Sequence, residues 1–146
     1  MVSHHQIEVN GKNLTTKNIL VSTGASPFVP SIPGLDKANF STSDSIWELR
    51  SLPKHLVVIG GGPIGCELVQ AFRRLRSEVT ILTRDSRILP KEDLDFSELV
   101  LNHFEQEGIG LHQNVRIDRI EKISSTNRLF FKKIGWIRRS MQIIFS

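Results

Sequence analysis

Residues 56–65 read LVVIGGGPIG, and this stretch carries the strongest fold signal in the chain. Its four apolar residues predict a short buried strand, and the three glycines that follow predict a tight turn. Apolar residues then recur at helical spacing from Ile64, and residues 79–82 form a second apolar run. This β-turn-α-β order predicts an α/β fold with a parallel sheet and a right-handed crossover.

The residues before this stretch predict a hairpin and a strand. Apolar and polar residues alternate on either side of Asn10-Gly11, the strongest short hairpin signal, which predicts a hairpin over residues 5–17. Residues 18–23 form a short apolar run that ends at Gly24 and predicts a buried strand. Three prolines between residues 27 and 33 exclude a central strand and indicate a stiff crossing between two units.

Helical spacing and capping residues predict three helices. A cap signal at Ser43-Asp44 opens a short helix over residues 45–50. The second helix begins at the glycine turn, and the third follows the acidic residues at 93 and 95 and ends before Gly108. We expect the sheet to be covered by Ile64, Leu68, Ala71 and Leu75 of the second helix and by Phe96, Leu99, Val100, His103 and Phe104 of the third.

The last third of the chain has weaker patterns. Apolar residues between 109 and 117 predict one or two strands. Residues 128–146 are ambiguous, because their apolar side chains have the spacing of a helical face whereas Gly135 and the β-branched residues favour a short hairpin.

Composition and charge exclude several classes of protein. The 146 residues are 39% hydrophobic and 23% charged, which excludes collagen-like, low-complexity and wholly disordered chains, and no apolar run is long enough to span a membrane. Five basic residues and no acidic one lie in residues 128–146, so the rest of the chain has a net charge of −1 and no nucleic-acid-binding body is expected. The single cysteine and the lack of a secretory signal favour the cytoplasm.

The glycine turn has the residues that a pyrophosphate site requires. Gly60 permits the tight turn, Gly62 lets the backbone approach a pyrophosphate, and Gly65 lets the helix pack closely on the sheet. Pro63 suits the first helical turn, whose free N–H groups attract phosphate. The flanking strands and helix favour a dinucleotide site over an ordinary glycine-rich turn.

The end of the second strand bears on which dinucleotide binds. An NAD site usually places a carboxylate there, whereas this chain has Thr83 followed by Arg84 and Arg87. A hydroxyl and two guanidinium groups attract a 2′-phosphate, so NADP is favoured over NAD. Two alternatives stay open, because Asp85 could neutralise either arginine and both arginines could be solvated surface charges.

Two further residues of the first helical turn have more than one interpretation. Cys66 could have its thiol pKa lowered by the helix dipole, or it could be a small side chain at a tight helix–sheet contact. Glu67 could act at a site, although the dipole alone favours an acid there. The five histidines show no ligand spacing with cysteines or acids, so no metal site is predicted.

Three separated signals together resemble the flavoprotein disulfide reductases, that is, the pyridine nucleotide-disulfide oxidoreductases. They are Thr23-Gly24-Ala25 after the predicted strand, Ile32-Pro33-Gly34 in the crossing, and Leu52-Pro53 followed by the glycine turn and Cys66-Glu67-Leu68. The resemblance is greatest to mercuric reductases and dihydrolipoamide dehydrogenases, and it runs from about Ile7 to Glu121.

The resemblance implies a truncated Rossmann-like parallel sheet of the FAD/NAD(P)-binding type. Residues 1–30 would be the C-terminal remnant of an FAD-binding domain, 31–51 a crossover linker with a short helix, 52–127 the N-terminal part of an NAD(P)-binding domain, and 128–146 a basic tail of uncertain structure. The implied cofactor contacts are Thr23 and Gly24 with FAD, Pro63, Ile64 and Glu67 near the nicotinamide and flavin rings, and Thr83, Arg84 and Arg87 with NADP.

Several family features are expected to be absent from this chain. These are the first FAD-binding unit, the Cys-x4-Cys redox pair and the dimerisation domain through which full-length relatives would form homodimers. After Glu121 no meander ending in a second Thr-Gly strand is expected. Arg76 stands where the family has a glycine, which would strain the helix end by about 1 kcal/mol.

Two functions are compatible with these residues. The first is a fragment of an FAD-dependent oxidoreductase that passes hydride from NADPH, or NADH, to flavin for reduction of a disulfide or metal-ion acceptor. The isolated chain would then be inactive, with Glu67 the one candidate catalytic residue. The second is a non-catalytic NADP(H)-binding or interaction module. We expect no membrane or nucleic-acid partner, although an amphipathic basic helix at residues 128–146 would offer one.

Overall fold

The computed structural model describes residues 2–134 and 140–145. Its strands are β1 (Gln6–Val9), β2 (Lys12–Thr15), β3 (His55–Ile59), β4 (Glu78–Leu82), β5 (Gly110–His112), β6 (Val115–Ile123), β7 (Thr126–Lys133) and β8 (Ser140–Phe145). The α-helices are α1 (Pro63–Arg74) and α2 (Leu94–Gln106), and short 3-10 helices cover Leu35–Lys37 and Ile46–Glu48. Neither α-helix among these residues is long and apolar enough to cross a membrane.

A parallel sheet of three strands lies at the centre of the fold. β3 pairs with β4 and β4 pairs with β5, and the crossovers between them are α1 and α2. Both helices cover the same face of this sheet, where the buried cluster consists of Cys66, Val69, Val79, Ile81, Ile88, Leu89, Phe104 and Ile109. The predicted α/β fold with a Rossmann-like parallel sheet is therefore confirmed.

An antiparallel sheet of β6, β7 and β8 packs against the opposite face of the parallel sheet. Leu129 and Phe131 of β7 are fully buried, in a second cluster with Leu82 of β4 and Leu35. An antiparallel meander is therefore present where none was expected, although no second Thr-Gly occurs in the sequence after Glu121. Strand alternation, which buries every second side chain of β7, outweighed the helical spacing seen in the sequence.

The stretch predicted as a basic tail is part of this antiparallel sheet. β7 begins at Thr126, so a domain boundary after residue 127 would fall inside a strand. The sequence left open whether residues 128–133 form a helix or a hairpin strand. They are part of strand β7, which pairs with β8. The turn that the sequence suggests at Gly135 lies outside the described residues.

The first fifty residues follow the predictions only in part. The hairpin is confirmed, with β1 and β2 antiparallel and positive φ at both Asn10 and Gly11, as a type I′ turn requires. The strand predicted over 18–23 is wrong, because this stretch is irregular and the Leu20 side chain is 91% exposed. The predicted helix at 45–50 shortens to the 3-10 turn at Ile46–Glu48.

The helices turn different faces toward the sheet from those predicted. The exposed members of the predicted faces are Ile64, Ala71 and Leu75 on α1 and Phe96, Leu99 and His103 on α2. The buried positions are Cys66 and Val69 on α1 and Ser97 and Phe104 on α2, and of these four only Phe104 was among the predicted residues. Each helix has two stripes with helical spacing, and spacing alone does not say which of them a sheet will cover.

Both helices end in the same hydrogen-bonded turn. The N–H groups of Arg76 and Ser77 after α1, and of Gly108 and Ile109 after α2, donate to carbonyls of the last helical turn over 2.9–3.1 Å. The left-handed position is filled by Gly108 (φ +70°) after α2 but by Arg76 (φ +77°) after α1. Arg76 thus takes a conformation that favours glycine, as expected, at a cost of roughly 1 kcal/mol.

Candidate functional site

The glycine turn joins β3 to α1 at the carboxyl edge of the parallel sheet, where ligands of open α/β sheets bind. Gly60 has φ +121°, which only glycine adopts easily, and its N–H donates to the Leu82 carbonyl at 2.8 Å. The turn is therefore tied to the end of β4. α1 begins at Pro63, directly after Gly62.

Gly62 and Gly65 differ in the space around them. A Cβ on Gly65 would collide with the Gly60 carbonyl oxygen, so this glycine permits the close approach of helix and turn. Apart from its chain neighbours, no part of the described chain lies within 4 Å of the position that a Cβ on Gly62 would take. Gly62 therefore borders open space at the N-terminus of α1, an arrangement that supports the predicted roles of Gly60, Gly62 and Gly65.

Gly61 is a structural requirement that the sequence analysis did not single out. A Cβ there would lie 3.2 Å from the Thr83 Cβ and 3.3 Å from the Ile88 Cα, and the Gly61 carbonyl accepts a hydrogen bond from the Leu89 N–H at 2.6 Å. The middle glycine thus lets the loop after β4 pack against the turn. The unbroken run of three glycines was the signal that pointed to it.

The N-terminus of α1 is open to a ligand. No side chain caps it, so the N–H groups of its first turn are available, and the helix dipole favours an anion there. Pro63 and Ile64 are exposed beside this end, and Glu67 lies exposed on the same face as Ile64. These three residues were predicted near the nicotinamide, and the helix brings them together next to the glycine turn.

The predicted NADP-selecting residues lie just beyond β4. Thr83 is buried, and its hydroxyl oxygen accepts a hydrogen bond from the Asp85 N–H at 3.2 Å, whereas Arg84 is exposed. Arg87 donates through Nη2 to the Pro90 carbonyl at 3.0 Å, and its Nη1 is buried without a partner among the described residues. Within this part of the chain Asp85 forms no ion pair with either arginine.

Cys66 is a packing residue in this structure. Its side chain belongs to the buried cluster between the helices and the sheet, 3.7 Å from the Gly61 carbonyl oxygen. Burial, with a smaller contribution from the Glu67 carboxylate, raises the pKa of the thiol to about 11. The thiol is therefore protonated at neutral pH, which favours the interpretation as a small side chain at a tight contact.

Thr23 and Gly24 are not assembled into a site by the described residues. Both lie in an exposed irregular stretch, Gly24 has φ +70°, and no atom lies within 4 Å of the position that a Cβ on it would take. The contact of Thr23 and Gly24 with FAD stays a prediction. The open cradle at Gly62, in contrast, fits the pyrophosphate of NAD(P). No group of three potential metal ligands occurs within the described residues.

Comparison with known proteins places the chain in a family. A family model described as pyridine nucleotide-disulphide oxidoreductase matches residues 1–133. The chain is 42% identical over 121 residues to a mercuric reductase of Bacillus cereus, covering 83% of this chain and 19% of that protein. It is 36% identical over 139 residues to a dihydrolipoyl dehydrogenase of Mycoplasma genitalium, covering 92% and 30%.

A solved structure shows the same arrangement. The HOCl-induced flavoprotein disulfide reductase RclA of Escherichia coli superposes with a TM-score of 0.73 at 28% identity, over 99% of this chain and 32% of that one. The chain thus spans about a fifth of the mercuric reductase and less than a third of the other two proteins. The family model and these relatives confirm the resemblance, and the chain belongs to the pyridine nucleotide-disulphide oxidoreductase family.

Proposed function

We propose that this chain holds the pyridine dinucleotide in an FAD-dependent NAD(P)H oxidoreductase. The observation that carries the proposal is the open space at Gly62, next to an uncapped helix N-terminus and bounded by the tight contact between Gly65 and Gly60. The named relatives are a mercuric reductase, a dihydrolipoyl dehydrogenase and a disulfide reductase. A disulfide or a metal ion is therefore the acceptor that we propose for the whole protein.

The residues of the turn bind and orient the dinucleotide in this proposal. N–H groups at the start of α1 donate to the pyrophosphate, and the partial positive charge of the helix end attracts it. Ile64 and Glu67, exposed one turn apart, lie beside the nicotinamide, where Ile64 limits the access of water. NAD(P)H supplies the hydride when bound. No step is assigned to Thr23 and Gly24, because the described residues form no enclosed flavin site.

NADPH is the dinucleotide that we propose, with NADH as the second choice. No carboxylate follows β4 at Thr83, and the buried Thr83 hydroxyl is already bonded to the backbone. Arg84 is exposed, and one guanidinium nitrogen of Arg87 has no hydrogen-bond partner among the described residues. These two side chains provide the charge for a 2′-phosphate, which forms strong charge-assisted hydrogen bonds with arginine.

Substitution of Gly62 tests the proposal directly. Gly62 has an ordinary extended backbone (φ −77°, ψ 176°) and open space at its Cβ, so Gly62→Ala should fold normally while the methyl group occupies the pyrophosphate position. Calorimetric titration with NADPH should show binding to the wild type and at least a tenfold loss in Gly62→Ala. Ser51→Ala, an exposed control, should bind like the wild type. Equal affinity in all three proteins would contradict the proposal.

Specificity is tested with the two arginines. Arg84→Ala combined with Arg87→Ala should weaken NADPH binding about tenfold and leave NADH binding unchanged, because only NADPH carries the 2′-phosphate. Arg50→Ala, a change at another exposed arginine, is the matched control. A parallel loss of both dinucleotides would show that the arginines do not select NADP.

The second candidate function is a non-catalytic NADP(H)-binding module, favoured by the exposure of Thr23 and Gly24. The flavin content of the purified chain tests this module and the proposed inactivity of the isolated chain together. Both the module and the proposed inactivity of the isolated chain require NADPH binding without bound flavin. Absorbance equal to about one FAD per chain would contradict both. Cytoplasmic location and dimerisation of the whole protein stay predictions.

A further inference from the structure

A cluster of arginines lies at the end of α1 opposite the glycine turn. Arg73, Arg74 and Arg76 line an open cleft of about 440 Å³ together with Glu107, the residue that follows α2. α1 has 12 residues, so at 1.5 Å per residue the cleft lies roughly 18 Å from the glycine turn. The cleft is therefore separate from the proposed dinucleotide site.

The positive charge of this cleft is only partly neutralised. Arg74 donates to the Glu107 carboxylate over 2.7 Å, and Arg73 donates to the Glu107 backbone carbonyl over 2.6 Å. The Arg76 side chain is exposed and forms no hydrogen bond or ion pair with the described residues. The lining thus has three cations and one anion. The hydrogen bond from Arg74 lowers the pKa of the Glu107 carboxyl, as a positive environment should.

The backbone conformation of Arg76 is a second feature of this cleft, independent of its charge. Its φ of +77° is the left-handed conformation that favours glycine, and the equivalent position after α2 is filled by Gly108. An arginine here costs stability that a glycine would restore, and among the described residues no hydrogen bond or ion pair of its side chain offsets this cost. Residues held in such conformations cluster at functional sites, although Leu89 and Ser124 of this chain also have positive φ.

We propose that the cleft binds a small phosphate-bearing anion through the guanidinium groups of Arg73, Arg74 and Arg76. Guanidinium groups match phosphate oxygens with paired, charge-assisted hydrogen bonds. The competing explanation is that the arginines only complement the negative C-terminal end of the helix dipole.

The test uses pyrophosphate as the probe and the full chain with Gly62→Ala, which removes the competing site at the glycine turn. Amide NMR shifts should then respond at residues 76–77 and 107–108 as pyrophosphate is added. Adding Arg76→Gly should weaken this response at least tenfold. That change also relieves the backbone strain, so thermal stability should rise and unfolding cannot explain the loss. Arg76→Lys should retain part of the affinity.

Arg50→Gly in the same background is the matched control, because it removes one exposed guanidinium elsewhere and should leave the affinity unchanged. Three outcomes would overturn the proposal. The shifts could be absent from residues 76–77 and 107–108, Arg76→Gly could bind as well as its parent, or Arg76→Gly and Arg50→Gly could lose affinity equally. The last result would indicate attraction to the overall charge rather than a site. None of these readouts depends on NADPH binding.

Discussion

Two segments of this chain have the same kind of sequence, an apolar run followed by glycine, and only one of them becomes a site. At residues 18–24 the run is irregular and exposed, and no described residue other than its chain neighbours lies within 4 Å of a Cβ placed on Gly24. At residues 56–62 the run is β3, paired with β4 and covered by α1. The difference shows that a phosphate-binding turn is made by the elements packed around it, since these orient the backbone N–H groups.

The largest expected difference between the two regions is in stability. Phe104→Ala removes a phenyl ring that is 2% exposed in the cluster between the helices and the sheet, and should reduce the free energy of unfolding by about 3–5 kcal/mol. Phe28→Ala removes one that is 89% exposed, and should change it by less than about 0.5 kcal/mol. Urea denaturation followed by circular dichroism measures both. Similar losses would mean that residues 18–33 are packed in solution.

The second difference concerns the glycines of the two segments. Gly65→Ala forces a methyl group against the Gly60 carbonyl, so we expect a loss of about 1–3 kcal/mol and loss of NADPH binding. Gly24→Ala meets no neighbouring atom and costs only the left-handed backbone, about 1 kcal/mol. NADPH affinity in Gly24→Ala should equal that of the wild type. Retained binding in Gly65→Ala would show that the helix can move away from the turn.

Local sequence signals were enough to predict several elements of the fold. Asn10-Gly11 predicted the hairpin because both residues tolerate positive φ, and Gly62-Pro63 predicted the start of α1 because proline needs no N–H partner there. The glycine turn and its flanking strands were predictable because the motif and its context occur within thirty residues.

The signals that failed were those that depend on distant partners. Residues 18–23 have strand composition, but a strand needs a neighbour, and within the described residues none pairs with them. Leu129 and Phe131 are core residues because β6 and Leu35 lie against β7, which the spacing of residues 128–146 does not reveal. The choice between Ile64 and Cys66 as the buried residue likewise depends on how closely Gly65 approaches the turn.

A finer contrast within the packed region concerns the two helix ends. Arg76→Gly should raise the free energy of unfolding by about 1 kcal/mol, because glycine adopts the left-handed conformation without strain. Gly108→Ala should lower it by at least about 1 kcal/mol, since the added Cβ would also lie 3.2 Å from Nη2 of Arg73. In thermal denaturation the melting temperature should therefore rise for Arg76→Gly and fall for Gly108→Ala. A loss of stability in Arg76→Gly would mean that the arginine side chain makes a stabilising contact.

The smallest expected effect is the pH dependence that His112 gives to the packed region. The His112 ring lies 5.0 Å from the Phe131 ring, between centroids, and burial, with a smaller contribution from Lys133, lowers its pKa below the ordinary 6.5. The unfolded chain therefore binds more protons than the folded one in the interval below pH 6.5. The free energy of unfolding should be highest above that pH and should fall as the pH decreases through this interval.

His112→Gln should remove this dependence between pH 7 and pH 5. The other two groups with shifted pKa values act elsewhere: the Glu107 carboxyl, whose pKa is lowered, loses its contribution only below its ordinary pKa of 4.5, and the Cys66 thiol, with a pKa raised to about 11, reduces stability only above pH 9. When the urea midpoint is plotted against pH, the curves of wild type and His112→Gln should therefore have different slopes between pH 7 and pH 5 and the same slope outside this window. Parallel slopes would mean that the His112 ring is fully hydrated in the folded chain, and that the contact between β5 and β7 is looser than the contact of α1 with the sheet.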